Sequence, residues 1–257
     1  MVNAPLRSGN GTVGAWAPLL ALSAVAWLLV LGNEGAAAGL MGLTSAQYVA
    51  GWLVMTAAMM LPSLAWFGSM YLREIRRQTT GVVRPVRVAS LTVGYFLVWA
   101  ATAAGALGLA SAIDWAARRH ADALPWIGGA VLVVAGLYQL SSLKHRCLAR
   151  CRSPLSFALA ASRHSGRARD LKVGLEHGAW CVACCWALMA ALVAVGTMSL
   201  AWMAAIAAVV LVERSWDRGG TLARAVGIGL VLTGLLVPFV DWLAPALHGG
   251  GMAMESM

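Results

Sequence analysis

Four residues within one short stretch carry the side chains of a soft-metal site: His177, Cys181, Cys184 and Cys185. On a helix, positions spaced 4, 7 and 8 residues from His177 fall within roughly a 100° arc of one face. Thiolate and imidazole are the donors that soft and borderline transition metals select. One straight helix cannot wrap all four ligands around a single ion, so a second helix must add donors or two sites must exist. The competing reading is packing, because cysteine behaves as a small apolar residue in helices. Three cysteines and a histidine on one face favour the metal.

Two further groups join this set. Cys147 and Cys151 stand four residues apart, just after Lys144 and His145, so a helix continuing through them puts both thiols on one side. They read either as additional ligands or as exposed loop thiols. Met55, Met59, Met60 and Pro62 form the third group. Pro62 lacks an N–H and frees a carbonyl one turn back, which predicts a kink beside the methionines. Met60 and Cys184 each lie about 18 Å along their apolar segments from the same end, so thioethers and thiols share one level. That combination selects Cu(I), whereas Zn(II) would use the cysteines and histidine alone and leave Met59 and Met60 idle. Copper is therefore favoured, with zinc as the alternative. Disulfides are not expected for five cysteines on the reducing side of a membrane. Glu176 and the close-packing pair Gly174 and Gly178 flank His177. The terminal stretch after His248, with Met252, Met254 and Met257, reads as a flexible tail over 244–257.

The elements that position these residues are set by composition. Apolar residues make up 60% of the 257 and charged residues 11%, against about 25% charged in a soluble domain. Mean hydropathy is +0.76. This is surface meant for lipid, and seven apolar segments can be read, over 15–32, 48–72, 86–113, 124–143, 173–195, 200–212 and 225–243. The first, following Arg7, reads as a span with a signal-anchor role rather than a cleaved leader. The expectation is an all-α, polytopic transmembrane bundle of about seven spans, forming one integral membrane domain over 1–257. All Lys and Arg except Arg118 and Arg119 fall in the N-terminal tail or in the second, fourth and sixth connections. By the positive-inside rule this predicts a cytoplasmic N-terminus, an external C-terminus and a basic cytoplasmic loop over 144–172, in the cytoplasmic membrane. Within that loop, residues 153–161 are apolar enough for a short surface helix. Trp16, Trp115, Trp126, Trp202, Trp216 and Trp242 fall near the ends of the segments, as interfacial rings do.

The net charge of +9 fits cytoplasmic loops and anionic lipid better than nucleic acid, since no basic stripe with interleaved aromatics is present. The expected partners are the lipid bilayer and other membrane or metal-delivery proteins. No phosphate loop, dinucleotide fingerprint, H-E-x-x-H or G-x-S-x-G occurs, which removes the sequence basis for an ATP-driven pump or a hydrolase.

The sequence resembles the bacterial DUF2182 family, described as predicted metal-binding integral membrane proteins. The resemblance lies in Trp52-Leu53-Val54-Met55 with Ala58-Met59-Met60-Leu61-Pro62. It continues in Tyr138-Gln139, Leu143-Lys144, Cys147-Leu148, Cys151-Arg152 and Pro154. It closes with Gly174, His177-Gly178, Cys181, Cys184-Cys185-Trp186, Leu188-Met189, Gly196, Met198, Trp202-Met203 and Glu213. Where the usual block has a glycine between the cysteines, this chain has Ala183. The resemblance implies a metal and a membrane but neither a substrate nor a reaction. Three functions stay open on the sequence: copper handling by binding, delivery or transport; a metal-dependent membrane redox enzyme or a subunit of one; and a structural or assembly subunit without metal.

Overall fold

The computed structural model describes residues 13–32, 44–78, 83–196 and 200–240, and among them it is helical throughout with no strand. A chain this apolar must satisfy its backbone N–H and C=O groups within each segment, and the helix does so. The order is α1 (Val13–Gly32), α2 (Ser45–Gln78), α3 (Val83–Arg119), α4 (Leu124–Leu140), α5 (Ser142–Arg152), α6 (Pro154–Arg163), α7 (Arg169–Gly196), α8 (Leu200–Ser215) and α9 (Gly219–Leu236). Pro62 lies inside α2 without ending it.

Four stretches are long and apolar enough to cross a membrane: Ser45–Leu64, Pro85–Arg119, Arg169–Ala194 and Gly219–Phe239. A fifth is added if α4 and α5 count as one broken span, bent by 63°. Among the described residues, the first and the sixth of the seven expected segments are not counted among these spans. Only Ala17–Gly32 of α1 qualifies as a shorter apolar helix. The 16 residues of α8 reach about 24 Å against a hydrocarbon core of about 30 Å. The outer faces carry exposed Leu28, Leu137, Leu232, Leu235 and Phe239. Trp115, Trp126, Trp202 and Trp216 are exposed as well. The 197–199 connection, Asp241, Trp242 and the methionine-containing tail lie outside the described residues, as does the side chain of Trp16.

Two helix pairs are drawn together by small residues. Where α3 meets α7, a Cβ on Gly174 would sit 2.1 Å from the Leu91 carbonyl oxygen, and one on Gly94 would sit 2.2 Å from that of Leu171. Gly178 faces the Tyr95 carbonyl in the same seam, so the expected close approach beside His177 is made by α3. The α4–α9 pair is built alike, with Gly129 against Gly234 and Gly136 against Gly227. The Arg87 guanidinium grips the Asp170 carboxylate through Nε at 3.0 Å and Nη2 at 3.0 Å, tying the α3 and α7 ends together. Because a backbone carbonyl cannot yield as a flexible side chain does, Gly174→Ala should force α3 and α7 apart and cost about 1–3 kcal/mol. Gly108→Ala, where the added methyl meets open space, is the control. Thermal unfolding of the two variants in detergent should separate them, and equal melting temperatures would contradict the seam.

The residues between α4 and α7 do not simply connect them. Ser141 adopts an extended conformation at φ −70 and ψ 149, and its Oγ accepts from the Lys144 N–H. It thereby ends α4 and caps α5. The new direction lays α5 on α7. Lys144, Cys147, Leu148 and Cys151 are the buried residues of α5, a stripe spaced i, i+3, i+4 and i+7 as a packed helix requires. After Ser153, also extended, α6 follows where a short helix was expected and packs on α7 and α2.

Candidate metal centre

Three turns of α7 present His177, Cys181, Cys184 and Cys185 on its buried face, with 6%, 0%, 1% and 1% of each residue exposed. The helical spacing thus points all four inward together. From α5, Cys151 is 1% exposed and its thiol lies against those of Cys181 and Cys184. Cys185 lies against the same two. Four sulfurs from two helices therefore converge, and all five cysteines are free thiols. Cys147 is buried beside the Tyr138 hydroxyl, on the Cys184 side of the cluster. Both α5 thiols are thus interior groups, and the exposed-thiol alternative is excluded for them. The Cys184 and Cys185 thiols point at the Cys181 carbonyl oxygen, at 3.1 and 3.0 Å.

Neighbouring helices supply the polar walls. Tyr95 of α3 is fully buried, its hydroxyl 2.8 Å from Cys181 Sγ and its ring stacked on that of His177. Arg214 of α8 enters from the other side. Its Nη2 lies 2.8 Å from Cys181 Sγ and 3.2 Å from Cys184 Sγ, while Nη1 donates to Ser63 Oγ at 2.7 Å. Ser63 in turn donates to the Met60 carbonyl. This is how α2 reaches the thiols, and Met59 and Met60 are buried in the same apolar cluster as the cysteines. Among the described residues, no three His, Cys, Asp or Glu side chains are placed so that they could hold a metal ion; the Arg214 guanidinium lies among the thiols.

A second polar cluster adjoins the first. Lys144 Nζ lies 2.7 Å from Glu213 Oε2 and donates to the Cys184 carbonyl at 2.5 Å. Gln139 Nε2 donates to the other Glu213 oxygen at 2.8 Å. All three side chains are buried. Such a group inside an apolar bundle is expensive unless paired, and here each charge has a partner.

A cleft lies beside His177, and no cysteine lines it. Its volume is about 190 Å³, and it is lined by Arg150, Arg163, Glu176, His177 and Trp180, among others. Arg150 covers the Trp180 ring, with its guanidinium carbon 4.5 Å from the centroid. Glu176 is held by Arg163 at 3.0 Å and by His164 at 3.3 Å. It therefore serves the mouth of the cleft, one position from His177. The imidazole of His177 is part of the lining, one helical turn from Cys181.

Sequence reasoning singled out the sulfur and imidazole side chains that the structure brings together and missed the polar groups beside them. The positive-inside rule assigns Lys144 and Arg214 to connections, whereas in the structure both are buried, at 0% and 4% exposure. Their signal was present in Glu213-Arg214 closing an apolar run, since ionisable residues in such runs mark functional sites. Tyr95 gave no signal; a tyrosine in an apolar helix is ordinary.

The described residues make an all-helical protein with four to five candidate spans and a buried thiol cluster with polar walls. Residues 49–237 match the PpoB2 family, described as copper chaperones, and the chain belongs to that family. This places it among copper-handling proteins; the family gives zinc no support. No curated protein and no solved structure matches the chain.

Proposed function

We propose that the protein is a membrane-embedded copper(I) chaperone that holds its cargo between α5 and α7. The thiols of Cys151, Cys181, Cys184 and Cys185 are the principal donors. His177 stands at the entrance, Cys147 at the periphery, and Met59 and Met60 add thioethers from α2. The observation that carries this reading is the convergence of four buried thiols from two helices, one helical turn from an imidazole that lines a cleft. Soft sulfur donors favour Cu(I) over harder ions, and a bound cation offsets the cost of burying thiolates. The ion enters past His177, exchanges onto Cys181 and settles among the sulfurs, and a metal-handling protein docked over the cleft is the donor or acceptor. The test is copper(I) titration of detergent-purified, reduced protein against a chromophoric copper chelator, with about one ion per chain expected. Met59→Leu with Met60→Leu should weaken the retention of copper while leaving the melting temperature nearly unchanged, because the volumes are similar. Unchanged retention would remove the thioethers from the site.

The same reading inserts seven helices into the cytoplasmic membrane with the N-terminus inside. It is supported by the exposed apolar outer faces, which would aggregate in water, and by the one-sided distribution of Lys and Arg. The short α8 crosses with little tilt and a locally thinned bilayer. An alkaline phosphatase fused after Met257 should be active and a fluorescent protein fused there dark; the reverse pattern would overturn this topology.

A further inference from the structure

We propose that Arg214 is a specificity-determining residue of the thiol cluster, a fixed positive charge that makes it select monovalent over divalent soft ions. This rests on the reading of the thiols as the copper site. Arg214 is 4% exposed, and a guanidinium does not lose its proton in a protein. A buried cation needs a counter-charge. The adjacent carboxylate, Glu213, is already engaged by Lys144 and Gln139. Among the described residues no carboxylate pairs with Arg214, and its Nε has no hydrogen-bond partner. The groups that face it are Cys181 Sγ at 2.8 Å, Cys184 Sγ at 3.2 Å, Cys185 Sγ at 4.0 Å, the Cys181 carbonyl at 3.5 Å and the Ser63 hydroxyl at 2.7 Å. The sulfurs are therefore the groups able to supply the negative charge.

The guanidinium does not compete with the ion for the same electrons. A thiolate has several lone pairs and can accept an N–H while it ligates a metal. Ser63 and the Cys181 carbonyl hold the fork from two further directions, so it stays in place as an ion arrives. Its charge then acts on whatever the sulfurs bind. At a separation of a few ångströms in a low-dielectric interior, repulsion of a divalent ion is twice that of a monovalent one. A cluster of thiolates alone would welcome the doubly charged ion; one that already contains a cation penalises it. Arg214 thus discriminates by charge, which sulfur softness alone cannot do.

Ag(I) and Cd(II) make the test direct, since both are closed-shell, thiophilic and inert to thiol oxidation here, and they differ in charge. Purified wild type, Arg214→Gln, Arg214→Lys and Ser63→Asp would each be loaded with the two ions in competition, with bound metal read by elemental analysis. The Cd(II):Ag(I) ratio should rise about tenfold or more in Arg214→Gln and stay near wild type in Arg214→Lys. Ser63→Asp places a carboxylate against Nη1 and neutralises the guanidinium without removing it, so it should also raise the ratio; it carries the test if Arg214→Gln does not fold. An unchanged ratio in folded Arg214→Gln or Ser63→Asp, with the ions still lost on Cys184→Ser, would overturn the charge filter and leave the thiol site standing. Wild type that binds neither ion would overturn the site and the inference together.

Discussion

Protein in which Cys181 and Cys184 are both serine should purify without copper. These two sulfurs are the centre of the cluster: Cys151 and Cys185 lie against both, Tyr95 addresses Cys181, and Arg214 donates to both. Serine keeps the hydrogen-bonding capacity and nearly the size but replaces a soft donor by a hard one. Mutating outer partners of a metal site costs about 10–100-fold in affinity, and losing two central ligands should exceed that, leaving no ion after exchange against a chelator. Cys147→Ser, at the edge of the cluster, should lose far less. The measurement is copper per chain alongside the melting temperature, because a folded variant without metal is the informative result. Undiminished copper in the double variant would return the cysteines to the role of packing residues.

The second large effect concerns stability. Lys144→Met leaves the Glu213 carboxylate buried with Gln139 Nε2 as its remaining hydrogen-bond partner among the described residues. Breaking one side of a buried pair costs about 3–5 kcal/mol, because the remaining charge is uncompensated. For a chain of this size that corresponds to a melting point lower by roughly 10 °C. Combining Lys144→Met with Glu213→Met removes both charges and should recover most of the loss, since replacing a whole buried pair by apolar groups is near neutral. A single variant that melts like wild type would mean that the ion pair bears no stability. The double variant also separates folding from binding: it lacks the Lys144 bond to the Cys184 carbonyl but keeps every sulfur.

How much of this could be read from the residues follows from the period of the helix. His177, Cys181, Cys184 and Cys185 share a face by arithmetic, and so do Cys147 and Cys151; helical class follows from hydropathy. The helix count does not, because an apolar run such as 200–212 marks a helix but not its reach. The bend at Ser141 was hidden as well, since serine in an apolar run can either continue a helix or cap a new one, and the choice is made by α7 receiving the Lys144–Cys151 stripe. Charge was the least legible feature. Lysine and arginine are normally solvated, so the positive-inside rule assigns them to connections, and only the packed structure shows that Lys144 and Arg214 turn inward to meet Glu213 and the thiols.

One consequence of that bend is mechanical. The 11 residues of α5 form a stiff rod between two single-residue joints, Ser141 and Ser153, both extended. Lys144 sits one turn from the first joint and is fixed there by Glu213 and the Cys184 carbonyl, whereas Cys151 sits two residues from the second. The near end of the rod is therefore an anchored pivot, and a small change of angle there is magnified by the length of the helix into a larger displacement of the Cys151 end.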